Sequence, residues 1–525
     1  MSNKRLIKST GVISFATLVS RALGFVRDIL IASLFGTGMF AEAFVVSFRI
    51  PNLFRDLVGE GAANAAFVPV LTEYRTTRSE REFWNLSKSL LGIMCGVLFL
   101  VALLGVLLAP VMVKAIAPGF IADPDKLEIT ISLTRIIFPF IFLVGLVAYG
   151  MGVLNSLNHF AAPAFGPALL NIGIILALIY VCPKFGVTGL AFGILAGGAL
   201  QVIAIGSVLY KKGLRPNQSQ SHLPGRTRFA HPAIKRIWKL LVPRFFGSAV
   251  YQMSVIVDNI FSTFQWIVGV GAPAALWYSY RLFHLPLAIF GIALATVALP
   301  KMSREVARKD IASLKDTINF SLRSVFLVLI PAGIGLATFG RPIIRTLFER
   351  GEFTAYSTSI TNSALFFYSF GLFACGGIKI LVNSFFSLGD TKTPVKVASV
   401  SFFINLGLNF ALMWPLKIGG LALATSIAAT FNFVVLYILL TRKIGDMGTS
   451  RILNSLWRVL VAGVVMGIFS YAAGRFLDGL GKGFAIDVIG VIGIVLSSLA
   501  IYVLVSLALG VGEMKRFLKW ILRRG

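Results

Sequence analysis

The sequence predicts an all-α polytopic membrane protein with 14 transmembrane helices: two six-helix bundles related by a repeat of about 230 residues, plus two C-terminal helices. Three observations predict it. Of 525 residues, 57% are hydrophobic and only 13% are charged, about half the ~25% charge of a soluble chain, and mean hydropathy is +0.85. Apolar stretches of about 20 residues, each able to cross roughly 30 Å of hydrocarbon, recur along the whole chain. Basic residues are concentrated on alternate connections between those stretches.

In chain order the stretches centre at about residues 22, 55, 102, 143, 172 and 199, then 252, 287, 328, 371, 404 and 430, then 463 and 497. The first two are the least hydrophobic. No cleavable leader is legible, because the first stretch outruns the usual length and lacks a small-residue cleavage site. The two termini and the connections on their side hold 30 Lys and Arg, whereas the opposite connections hold eight, namely Lys126, Lys184, Arg341, Arg345, Arg350, Lys417, Arg475 and Lys482. This asymmetry predicts both termini in the cytoplasm. Residues 1–210 form an N-terminal six-helix lobe, and 211–239 form a basic cytoplasmic linker with no acidic residue. Residues 240–441 form a C-terminal six-helix lobe, and 442–525 hold the two extra helices and a basic tail.

The lobes match in sequence. Arg49 in VVSFRIP resembles Arg281 in WYSYRLF, Pro69 in FVPVLTE resembles Pro300 in ALPKMSR, Asn155 in LNSLNHF resembles Asn383 in VNSFFSL, and Gly189 in GLAFG resembles Gly420 in GLALA. Four matches in order, at nearly one offset, indicate duplication. Six spans per repeat is an even number, so both repeats have the same orientation and relate by an axis along the membrane normal.

The net charge of +28 would suggest nucleic acid in a soluble protein, but here cytoplasmic loops account for it and no nucleic-acid partner is expected. Cys95, Cys182 and Cys375 lack disulfide or metal spacing. The histidines form no constellation, and His284 alone is a candidate to line a cavity. No catalytic constellation is present, which argues against an enzyme.

Eleven basic residues and five acids (Asp28, Glu42, Asp56, Glu60 and Asp258) remain in or at the ends of spans. A charge at mid-bilayer costs at least about 2.5–3.5 kcal/mol, so these side chains should line a wet, net-cationic cavity suited to an anion. In SRALGFVRD, Arg21, Gly24 and Asp28 share one stripe, with Arg27 about 120° away. In SFRIPNLFRDLVGEGA, Arg49, Asp56 and Glu60 form one stripe and Asn52, Arg55 and Gly59 another, while Pro51 should kink or break the helix. These acids and arginines either pair off structurally or bind substrate. An arginine fork suits a phosphate or pyrophosphate. Asp258, the lone acid in the later spans, is either paired with a base such as Arg244 or part of a cation site with Asn383.

SRALGFVRD, RIPNLFRDLVGEGA, AFVPV, APGF at 117–120 and DTKTPVK at 390–396 closely resemble the MurJ (MviN) family of bacterial lipid II flippases, within the MOP exporter superfamily. The resemblance covers essentially the whole chain, including the two extra helices. It implies a monomer in the bacterial inner membrane that moves undecaprenyl-pyrophosphate-linked disaccharide-pentapeptide to the periplasmic leaflet by alternating access. It further implies substrate binding by Arg21, Arg27, Arg55 and Arg281, accompanied by Asp28, Glu42 and Glu60. His284 stands where some members have Glu. A sodium site containing Asp258 and Asn383, or the membrane potential, would drive transport. The extra helices, uncharged except for Arg458, would form a groove for the lipid tail. The alternatives are a flippase for another lipid-linked oligosaccharide and a cation-coupled drug exporter, although the latter usually carries acids in its cavity.

Overall fold

The computed structural model describes residues 3–55, 63–214, 232–479 and 483–516. Among these the chain is helical, with no strand, and it divides into two compact units, Met1–Gln252 and Met253–Gly525. The first holds α1 (Asn3–Phe35), α2 (Met39–Arg55), α3 (Ala63–Thr77), α4 (Glu80–Ile116), α5 (Pro124–Ile137), α6 (Phe140–Ser156), α7 (Ala161–Tyr180), α8 (Cys182–Lys212) and most of α9 (Pro232–Ser262). The second holds α10 (Gln265–Val268), α11 (Ala272–Pro286), α12 (Ala293–Ala307), α13 (Ile311–Phe348), α14 (Ala355–Ser369), α15 (Leu372–Ser387), α16 (Lys392–Leu416), α17 (Ile418–Ile444), α18 (Thr449–Gly479) and α19 (Phe484–Ala508).

Among the described residues ten helical segments are long and apolar enough to cross a membrane, and the pair α14 and α15, bent by 45°, makes eleven. The fourteen expected are not all reached by that measure: α1, the α2–α3 pair and α9 lie at the remaining expected positions but are not among the ten. Helix starts follow local chemistry. Ser79 accepts from the Glu82 amide at α4, Asp123 from Lys126 at α5, and Asp310 from Ser313 at α13, each satisfying a backbone donor that the first turn leaves open. Pro51 lies inside α2, which continues through it to Arg55 rather than ending there.

Positive-φ turns recur at related places in the two units. The α6–α7 turn has Asn158 at φ 58° and the α15–α16 turn has Gly389 at φ 75°. Near the start of α8 the helix is broken at Gly186 with φ 55°, and the α16–α17 junction turns at Lys417 with φ 52°. Both pairs stand at the same offset as the sequence matches. A Cβ would be crowded at Gly189 by the backbone of Val181 and Cys182, before the break at Gly186, and at Gly420 by the backbone of Leu412 and Met413 in α16.

In the first unit the core joins Phe67 and Leu71 of α3, Phe83 and Trp84 of α4, Tyr149 and Val153 of α6, Leu209 of α8 and Ile237 of α9. In the second, Tyr278, Phe348 and Phe353 form a buried aromatic cluster. Helix α18 lies on α13, where Gly463 and Gly467 admit Ile334 and Thr338 meets Ser470 at 2.9 Å. The Tyr502 hydroxyl of α19 donates to the Leu327 carbonyl. The extra helices are not uncharged apart from Arg458. Asp487 lies in the first turn of α19 and meets Arg345 of α13 at 3.3 Å, and position alone had assigned that arginine to a connection.

Candidate functional site

Helix α1 carries the buried pair Arg27 and Asp28. The Arg27 Nε and Nη2 donate to Asp28 Oδ1 at 3.0 and 2.7 Å, and Nη1 donates to Asn171 Oδ1 of α7 at 2.9 Å. Asn171 Nδ2 in turn donates to the Ser20 carbonyl of α1. A Cβ at Gly24 would stand 3.4 Å from Asn171 Nδ2, an ordinary contact. For Arg27 and Asp28 the structure shows the pairing alternative: two charges that would be costly alone satisfy one another at a helix–helix seam.

Glu42 of α2 is fully buried and accepts from Lys126 Nζ of α5 at 2.6 Å, with Lys126 only 3% exposed and 5.2 Å from the Phe120 ring. This corrects the assignment of Lys126 to a solvated connection. Charge counting places a lysine by its distance from apolar stretches, whereas burial here follows from a carboxylate on another helix. Arg21 is exposed on α1, and Asn52 and Arg55 are half-buried at the end of α2. Glu60, with Asp56, Gly59 and Gly61, lies outside the described residues.

In the second unit Arg281 of α11 lies with its guanidinium 4.4 Å from the Trp277 ring centre. This is the position of a cation–π contact. One turn on, His284 stacks on Tyr280 at 5.4 Å.

Asp258 of α9 accepts from Asn409 Nδ2 of α16 at 2.7 Å and from Thr425 Oγ1 of α17 at 3.0 Å. Asn409 also donates to Asn405 Oδ1, and Thr425 to the Leu421 carbonyl. Asn383 is not part of this cluster, because its amide donates to the Ala295 carbonyl and ties α15 to α12. The side chain of Arg244 lies outside the described residues. The residues that sequence reasoning missed, Asn405, Asn409 and Thr425, did leave a signal: INLGLNF sets two amides four residues apart on one face of an apolar helix, and buried amides need partners. Among the described residues no cluster of three His, Cys, Asp or Glu could hold a metal ion, so any ion here would rest on one carboxylate and neutral oxygens.

The family model described as "Lipid II flippase MurJ" matches residues 31–489. A "Probable lipid II flippase MurJ" of Vibrio cholerae is 33% identical, covering 97% of each chain, and a "Lipid II flippase MurJ" of Burkholderia cenocepacia is 33% identical over 83% of this chain and 84% of its own. Among solved structures, "Lipid II flippase MurJ, inward closed conformation" is similar with TM-score 0.77 and 25% identity, covering 96% of this chain and 99% of that one. A multidrug resistance MATE family transporter of the MOP superfamily, inward-facing, shares the fold at TM-score 0.65 and 14% identity, over 84% of this chain. The helical architecture, the ten or more apolar spans and the match along most of both sequences all agree: the chain is an integral membrane protein and belongs to the lipid II flippase MurJ family.

Proposed function

We propose that the chain flips lipid II, the undecaprenyl-pyrophosphate-linked peptidoglycan precursor, from the cytoplasmic to the periplasmic leaflet of the bacterial inner membrane. The observation that carries this reading is the family match over residues 31–489, with relatives at about a third identity along nearly the whole chain. The chain acts as a monomer that crosses the membrane 14 times with both termini in the cytoplasm, α1, the α2–α3 pair and α9 completing the apolar set. It moves its substrate without breaking a covalent bond. Rocking of the two six-helix halves alternates access, and the extra helices guide the prenyl tail. The diphosphate engages Arg21, Arg27, Arg55 and Arg281, with Asn52 and Glu60 completing the set, while Glu42, paired with Lys126, braces α2 against α5. Asp28 holds Arg27 until the substrate's anion replaces it, so a buried cation never stands alone.

Depletion of the protein in cells, followed by measurement of which leaflet holds lipid II, tests this reading. Accumulation in the cytoplasmic leaflet supports it. An unchanged distribution sinks it, and accumulation of a different lipid-linked oligosaccharide transfers the mechanism to that substrate.

A second reading concerns coupling. We infer that Asp258, Asn409 and Thr425 hold a sodium ion. Asn409 Oδ1 is buried without a hydrogen-bond partner. A half-turn of that amide would offer its oxygen beside the carboxylate and the Thr425 hydroxyl, a set of hard oxygen donors suited to a hard cation. Thermal unfolding in detergent across a sodium series checks it: sodium should raise the melting temperature of the wild type and leave Asp258→Asn unmoved. Equal response of both chains removes the ion.

A further inference from the structure

A second charged site lies well away from Asp258 in sequence, where the start of α18 and the turn after α19 meet α13. It is a cavity of about 300 Å³ lined by Arg323, Arg451, Asn454, Ser455, Arg458 and the segment from Gly510 to Glu513. Arg323 pairs with Glu513, whose other oxygen is 3.3 Å from the Ser455 hydroxyl. Arg458 donates through Nη1 to the Gly510 carbonyl at 3.1 Å. The buried Nε groups of Arg323 and Arg458 have no hydrogen-bond partner, and an unmet buried donor is costly. Arg451 meets Asp316 only at 4.0 Å, with both side chains more than 70% exposed, a contact of little strength. Three arginines against one glutamate leave the cavity with an excess of two positive charges.

The surroundings decide between a free anion and a lipid. From the cavity rim an exposed apolar stripe runs along α18 through Leu453, Trp457, Val461, Val464 and Ile468, which are 58%, 48%, 42%, 50% and 66% exposed. The spacing follows one helix face, and an exposed Trp at a span's end is typical of the membrane–water interface. Lys515 and Arg516 are exposed just beyond the cavity. A basic pocket at the head of a lipid-facing stripe matches a molecule with an anionic phosphate at one end and acyl chains at the other.

We propose that this cavity binds the phosphate of an anionic phospholipid. Arg451 and Arg458 grip the phosphate, Arg323 remains held by Glu513, and the acyl chains lie along the α18 stripe. The bound lipid thereby ties the extra helices to α13. This site shares no residue with the substrate arginines or with the sodium site.

The test is native mass spectrometry of the purified full-length protein in detergent, titrated with dioleoyl phosphatidylglycerol, with dioleoyl phosphatidylcholine and millimolar inorganic phosphate as separate arms. Phosphatidylglycerol should bind saturably, phosphatidylcholine far more weakly, and inorganic phosphate should fail to displace the bound lipid. The double variant Arg451→Gln, Arg458→Gln should bind phosphatidylglycerol roughly 25-fold more weakly, at roughly fivefold per arginine. Glu513→Gln should bind it more tightly, because Arg323 is released towards the phosphate, and a misfolded chain cannot mimic that gain. Phosphatidylglycerol binding unchanged in both variants overturns the site. Displacement by inorganic phosphate, or equal binding of phosphatidylcholine, overturns the assignment to an anionic lipid.

Discussion

The two units turn at equivalent places, yet their polar interiors have opposite character. Arg27 of α1 and Asp258 of α9 occupy corresponding positions of the repeat. Each reaches an asparagine on the corresponding helix of its own unit, Asn171 of α7 or Asn409 of α16. The first unit thus has a tethered cation at this seam, backed by Asp28, whereas the second has a carboxylate among neutral amides and a hydroxyl. Elsewhere the first unit adds the buried pair of Glu42 with Lys126. The difference teaches that charges at the same offset in the two units each need a polar partner on a neighbouring helix, because an isolated polar group there is costly. The sign of the charge is left open, and the two units have filled it differently.

Breaking an ion pair of the first unit should have the largest effect. Glu42→Ala leaves Lys126 buried without its carboxylate, a loss of about 3–5 kcal/mol, seen as a lower melting temperature in detergent and less protein in the membrane. The double variant Glu42→Leu, Lys126→Met should recover most of that loss. If the single and double variants are equally unstable, the pair is not what holds α2 to α5.

The shared bridge can be tested next. Asn171→Leu removes the acceptor from a guanidinium and should cost about 1.5–3 kcal/mol, the range for hydrogen bonds to charged groups. Asn409→Leu acts on the equivalent seam and should cost a similar amount measured without sodium. A several-fold disparity would mean that the two bridges are not equivalent in structural weight.

A smaller effect separates the units at two positive-φ positions. Gly186 and Lys417 both have positive φ, a conformation that costs a residue with a Cβ of order 1–3 kcal/mol. Lys417→Gly should therefore stabilise the second unit by about 1 kcal/mol, and Gly186→Lys should destabilise the first by at least as much. Thermal melts of the two variants should shift in opposite directions.

The smallest effect concerns the turns at Asn158 and Gly389, each followed by a titratable group: His159 and, at the same place in the second repeat, Asp390. Burial, then the Lys212 charge, lowers the His159 pKa. Asp390 is held well below the usual carboxylate range, first by the Lys443 ammonium at 2.6 Å and then by Thr393. Both native pKa values are depressed, so each contribution is complete above the unfolded value and is lost as pH falls through the folded one. Melting temperature should begin to drop below about pH 6.5 through His159 and below about pH 4 through Asp390. His159→Gln should abolish the first step alone and Lys443→Gln should diminish the second alone. A melting profile that keeps both steps in both variants would detach the two turns from the acid response.

The amino-acid sequence by itself determined the features that depend on local pattern. Apolar length and charge asymmetry marked the membrane class, and the matches from Arg49 with Arg281 to Gly189 with Gly420 pointed to a duplication, because hydropathy and repeat offset are read along the chain without knowing which helices pack together. It also singled out Arg27, Asp28, Glu42, Arg281 and Asp258, since a charge in an apolar stretch is conspicuous without any structure. Tertiary structure alone decided their partners. Glu42 found Lys126 across 84 residues, and Asp258 found Asn409 across 151 and Thr425 across 167, whereas Asn383 turned to a backbone carbonyl. A charge announces its need for compensation in one dimension, but which side chain supplies it depends on which helix faces pack together. That is set by shape, at places such as Gly173 of α7 and Gly463 of α18 where a missing side chain lets another helix approach.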